Sequence, residues 1–208
     1  MKKLIYIPIV HTEIDLGSLN EELKKHYLEK YSLKKWNEHV NTILHIWEGL
    51  RIRIKQLKLD YKKIKIYQDG LPLCGKEEKI VRDLAAKKSP NHELVLWLME
   101  QGAELCGTED PELLLQEYQL LKDIQATDPQ ERKKMMQSYE KKADTLLKKR
   151  DAYIAQRIYE TLGEDQVGVL FIGLLHRVDE FIEPPISISY LIHRLPFHRN
   201  FEMKKIYG

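Results

Sequence analysis

Histidines and carboxylates close the apolar runs of this 208-residue chain. His11, Glu13 and Asp15 follow the run 3–10, and Asp69 follows Lys63–Gln68. Glu109 and Asp110 come just after Ala103–Cys106, and His176, Arg177 and Asp179 follow Val167–Leu175. Imidazole, with an ordinary pKa near ~6.5, exchanges protons close to neutrality, and neighbouring carboxylates orient it or join it around a metal. These are the residue types of acid–base or metal-assisted hydrolysis. His11 and His176 would serve as metal ligands or as general acid and base. Glu13 or Glu109 would activate water or complete the shell of a divalent metal ion.

Arginine adds a cation to this set. Arg150 falls where the apolar stripe of a long helix would otherwise continue, between Leu146 and Ile154, and Arg157 lies two turns further along. At ~1.5 Å per residue, Arg150 stands about 18 Å from the helix end at Leu162. The strand that follows climbs back ~25–30 Å, enough to bring Arg150 level with His176. A buried arginine requires a partner, so a carboxylate or an anionic ligand is expected beside it. Asp69, Arg157 and Arg177 complete the residues expected to contact substrate.

Every member of this set also has an ordinary structural reading. Asp69 before Gly70 suits a turn, and Glu109-Asp110 before Pro111 suits a helix cap. Arg150 could bridge Asp151 or Glu140 at the surface. His11 and His176 could be plain hydrogen-bonded residues at strand ends. Their joint occurrence at strand ends favours a site, because in an open parallel sheet those ends share one edge and ligands bind in the crevice outside it.

The elements that must position these residues follow from periodicity. Short apolar runs at 3–10, 63–69, 103–106, 167–175 and 186–192 read as strands. Ser18-Leu-Asn-Glu21 has the capping-box form and opens a helix to about Tyr31. A longer helix, Leu33 to Leu57, carries Trp36, Val40, Ile43, Trp47, Leu50, Ile54 and Leu57 at alternating steps of four and three. That stripe either packs within the chain or forms a homodimer seam through residues 36–57. Helices are also expected at 76–88, 93–101, 111–124 and 128–162. Strands alternating with helices predict a mostly parallel α/β sheet, covered by helices, in a single domain spanning 1–208 with a long helical insertion after the first strand.

Composition narrows the function. Lys+Arg 34 nearly balance Asp+Glu 32, which gives no basic field for nucleic acid. No apolar run approaches the ~20 residues needed to cross a bilayer, so no membrane partner is expected. Two cysteines, Cys74 and Cys106, supply neither a disulfide framework nor zinc spacing, and the chain reads as cytoplasmic. His193 and His198 sit in a basic C-terminal segment. No glycine-rich phosphate loop and no Gly-x-Ser-x-Gly elbow occurs.

The segment Arg150-Asp-Ala-Tyr-Ile-Ala-Gln-Arg157-Ile, followed by Phe171-Ile-Gly173-Leu-Leu-His176, resembles the TraB/Tiki-like proteins of the erythromycin-esterase-like and ChaN-like group. In that family an arginine-bearing helix leads into a strand ending in Gly-x-x-His. A second Gly-x-x-His ends the N-terminal strand, matched here by Pro8-Ile-Val-His11, with proline in place of glycine. The resemblance implies an α/β fold with a histidine- and glutamate-containing site, which in Tiki relatives is proposed to be a metal-dependent protease. Arg150, His11 and His176 carry over by motif, with Glu109 or Glu13 as candidates for the acidic position. The expectation is therefore a hydrolase acting on a small-molecule or peptide substrate. Its rival is a non-catalytic protein that binds or senses a small anion in the same crevice.

Overall fold

The strands are apolar on both sides because helices cover both faces of the sheet. In a computed structural model describing residues 2–12, 14–15 and 20–192, Lys3–Ile9 (β1), Ile64–Gln68 (β2), Glu104–Cys106 (β3), Val167–Gly173 (β4) and Ser187–Tyr190 (β5) form one sheet. Its order is β3-β2-β4-β1-β5 and every pairing is parallel. The alternation of strand side chains sorts the core into two layers. Ile5, Ile7, Ile9, Ile64, Ile66, Val169 and Phe171 face one way. Leu4, Tyr6, Tyr67, Leu170 and Ile172 face the other.

Asn20–Lys30 (α1), Leu33–Gln56 (α2), Glu77–Ala86 (α3) and Pro90–Glu100 (α4) connect the first three strands. The α2 stripe packs within the chain. Ile43, Trp47, Leu50 and Ile54 join the first core layer, and Trp36 sits edge-on to Tyr27 of α1 at 5.0 Å. Leu57 is exposed and lies beyond the helix. α4 begins earlier than its apolar spacing predicts, because Ser89 caps it by accepting from the His92 amide, with Pro90 in the first turn.

Pro111–Ala126 (α5) and Pro129–Thr161 (α6) cross back to β4. Only the second half of α6 lies on the sheet: Ile154, Ala155, Ile158 and Leu162 join the second core layer, whereas Met136 is exposed. α6 also packs against α5. Among the described residues no helix is long and apolar enough to cross a membrane. Ser18, Glu13, His193 and His198 lie outside the described residues.

This topology places β4 between β1 and β2, which are not neighbours of each other. Ile9 is level with Gly173 and Gln68 with Phe171. The residues that leave the three strands therefore meet at one height on the carboxyl edge.

Candidate functional site

Asp69 is the centre of that meeting point. Its backbone amide donates to Phe171 O at 2.9 Å, one last ladder bond that fixes its height against β4. The carboxylate is almost wholly buried and accepts from the Gly173 amide at 2.9 Å. His11 Nε2 lies 3.1 Å from Oδ2, and His176 Nε2 lies 3.5 Å from Oδ1. Arg150 Nη2 donates to Oδ1 at 3.0 Å. One carboxylate thus joins two imidazoles and a guanidinium delivered by β1, the turn after β4, and α6.

Glycine at 173 is what permits this approach. A Cβ there would stand 2.8 Å from Asp69 Oδ2, 3.2 Å from His11 Nε2 and 3.6 Å from His176 Cδ2. β4 ends at this residue rather than at Leu175. Leu174 and Leu175 form a turn closed by the His176 amide donating to Gly173 O at 3.0 Å.

His176 is held at both ring nitrogens. Its Nδ1 lies 2.6 Å from Asp151 Oδ1, and Asp151 Oδ2 also accepts from the Arg177 amide at 2.9 Å. Tyr6 donates its hydroxyl to His176 O at 3.3 Å. Burial alone would lower the His176 pKa, but the Asp151 and Asp69 carboxylates outweigh it and raise the value to about 9. His176 is therefore an imidazolium at neutral pH. His11 is balanced more finely. Burial pulls it down, Asp69 lifts it above the ordinary value, and its side chain keeps 33% of its surface in solvent. Asp69 itself is held well below the carboxylate range: its burial opposes ionisation, but both imidazoles favour it more strongly.

Arg150 meets carboxylates on every nitrogen. Nε and Nη2 make a two-pronged contact to Glu109 at 2.6 Å each, and Nη1 reaches Glu117 Oε1 at 2.6 Å. Glu109 is fully buried and also accepts from the Gly70 amide at 2.7 Å. Burial pushes the Glu109 pKa up, with Arg150 pulling against it. These partners raise Arg150 further above its already high pKa. The sequence leaves open whether Arg150 meets a carboxylate or an anionic ligand; the carboxylates occupy it. Glu109 is correspondingly committed to Arg150 and Gly70, away from water activation.

The remaining expected residues lie apart. Arg157 donates to Gly107 O and pairs with Glu160, and the Arg177 side chain pairs with Glu180. Asp110 caps α5 through the Glu112 amide. Glu13 lies outside the described residues. Among the described residues no group of three or more His, Cys, Asp or Glu side chains is arranged to hold a metal ion. The two Nε2 atoms and Asp69 are suitable donors by type, but here they engage one another by hydrogen bonds.

Sequence reasoning missed Asp151, Glu117 and a second polar knot. Asp151 was legible as a carboxylate four residues before Ala155 and seven before Ile158, on the buried face of α6. In the knot, Asp15 accepts from the Thr12 amide and hydroxyl at 2.8 Å each, and from Ser89 Oγ at 2.5 Å. His92 Nδ1 stands 2.8 Å from Ser89 Oγ. Burial works against the Asp15 carboxylate, yet these donors lower its pKa to about 2. The knot ties the segment after His11 to the start of α4. Trp47 adds a second tie by donating to Val10 O at 3.1 Å.

Comparison with family models, curated proteins and solved structures finds no match to this chain.

Proposed function

We propose that this protein is a hydrolase whose acid–base group is His11, assisted by a fixed His176 imidazolium. The observation that carries this reading is the Asp69 carboxylate shared between two imidazoles, only one of which reaches solvent. Asp69 holds Nε2 of His11, which leaves Nδ1 of this partly exposed ring as the nitrogen that would meet a water. In this reading Nδ1 takes a proton as that water attacks a carbonyl carbon, and the same proton returns to the leaving group as the bond breaks. Asp69 favours the imidazolium that forms in between, as a carboxylate behind a catalytic histidine does. His176, clamped by Asp151, contributes a positive charge that needs no reorganisation during the reaction.

The same geometry weakens the anion-binding alternative. Arg150, the cation such a ligand would need, is occupied by Glu109, Glu117 and Asp69. The resemblance of the Arg150 helix and Gly173-Leu-Leu-His176 to TraB/Tiki-like proteins agrees with a hydrolytic site.

The test is turnover of a panel of activated esters, anilides and phosphate esters by the wild type, His11→Gln and His176→Gln. Turnover by the wild type that falls at least ~100-fold in both variants is expected. A wild type inert toward the whole panel, or variants as active as the wild type, would sink the reading.

A further inference from the structure

The turn that delivers His176 displays two leucines to solvent. Leu174 keeps 65% and Leu175 80% of its surface exposed. Single exposed leucines are unremarkable, but tight turns ordinarily carry glycine or small polar residues. Nothing in the turn itself requires leucine. Its shape is set by the Gly173–His176 backbone bond, by the Gly173 amide on Asp69, and by Asp151 gripping both the His176 ring and the Arg177 amide. The two side chains are thus presented on a rigid backbone, immediately next to the site residues at 173 and 176.

The electrostatics of the site narrow what would meet them. Asp69, Glu109, Glu117 and Asp151 surround Arg150 and the two imidazoles, so this cluster has no spare cation for an anionic substrate. Arg177 beside it is turned to Glu180. A neutral substrate with an apolar group next to the reacting carbonyl suits both features. Its apolar part would cover the leucines, and its carbonyl would face His11.

We infer that Leu174 and Leu175 form the substrate-contacting rim of the site and select a neutral substrate bearing an apolar acyl group. The inference rests on the hydrolytic reading above and specifies its substrate class.

The experiment measures kcat/KM for p-nitrophenyl esters from acetate to octanoate, and for the uncharged p-nitroanilides of N-acetylglycine and N-acetylleucine, in the wild type and in Leu174→Ser/Leu175→Ser. The two series separate a fatty acyl chain from an apolar amino-acid side chain. In parallel, binding of the unreactive probe octanamide is measured by calorimetry. Because burying each methylene multiplies binding by a factor of a few, the wild type is expected to prefer octanoate to acetate, or leucine to glycine, by about tenfold or more. The double variant should lose most of that preference at an unchanged melting temperature, since both side chains are exposed.

A wild-type preference that persists in the double variant overturns the inference, as does a flat wild-type series. If no substrate is turned over, the hydrolase reading fails, and octanamide then decides the rim alone. Binding weakened about tenfold by the double substitution upholds it, and unchanged or absent binding overturns it. A dimer seen by sedimentation in the wild type and lost in the double variant, together with a flat series, assigns the leucines to self-association and also overturns it.

Discussion

Asp151 Oδ1 lies 2.6 Å from His176 Nδ1, and Asp151 directly follows the arginine that anchors Asp69. Consecutive residues of α6 therefore serve opposite ends of one network: Arg150 fixes the carboxylate in the middle, and Asp151 fixes one of the imidazoles bound to it. A helix can do this because successive side chains diverge by about 100°, so one turn of α6 supports both β2 and the turn after β4.

Replacing Asp151 with Asn keeps the shape but removes the charge that holds His176 protonated. The His176 pKa should fall from about 9 toward the ordinary range. The proposed hydrolysis should drop ~100-fold or more, as when an orienting carboxylate behind a histidine is lost. An NMR titration of the ring protons checks the first outcome, and kcat/KM at neutral pH the second. A His176 pKa that stays near 9 would show that Asp69 alone holds the proton.

His176 also ties stability to pH. Its folded pKa of about 9 lies above the unfolded value near ~6.5, so protonation stabilises the fold fully below pH ~6.5. That contribution fades as pH rises through about 9, and at most it amounts to ~3 kcal/mol. Asp69 works in the opposite direction. Its lowered pKa gives stability that is present above its unfolded value of ~3.9 and lost as pH falls toward the folded one. Urea unfolding at pH 6 and pH 9.5 should separate wild type from His176→Gln, with most of the difference gone at the higher pH. A difference that stays constant between the two pH values would refute the linkage.

The order of elements was readable because apolar runs and caps are local signals. The start of β1, the Pro111 start of α5 and the reach of Arg150 to the sheet edge follow from composition, spacing and rise per residue. What escaped depends on long-range pairing. Nothing near Asp69 in the sequence marks it as the shared carboxylate. Its role arises because β4 inserts between β1 and β2, a strand order that periodicity does not encode. Glu109 read as a candidate base for the same reason: only tertiary structure shows that Arg150 takes both of its oxygens. Ser89-Pro90 falls between the helices expected at 76–88 and 93–101, yet the serine caps α4 and also binds Asp15 across 74 residues.

Arg150 and Glu109 should behave as an inseparable pair. Arg150→Met leaves a fully buried Glu109 without its cation and is expected to cost ~3–5 kcal/mol. The double variant Arg150→Met/Glu109→Gln should recover a substantial part of that loss, because Glu109 is then no longer a stranded charge, while Asp69 keeps its two imidazoles. A denaturant double-mutant cycle measures the coupling. Strictly additive losses would contradict the bidentate contact.

Gly173→Ala tests the packing of the site without touching any of its ionisable groups. The added methyl would lie 2.8 Å from Asp69 Oδ2 and 3.2 Å from His11 Nε2. Asp69 cannot turn aside cheaply, because the same oxygen accepts from the Gly173 amide and meets His11, while its partner oxygen is held by Arg150. The imidazole of His11, partly exposed, is the group free to yield. The variant should lose ~1–3 kcal/mol of stability from overpacking. The proposed hydrolysis should fall about 100-fold through displacement of His11 by a fraction of an ångström. Chemical-shift changes confined to His11, Asp69 and His176 would accompany that loss, and wild-type activity in this variant would remove His11 from the reacting position.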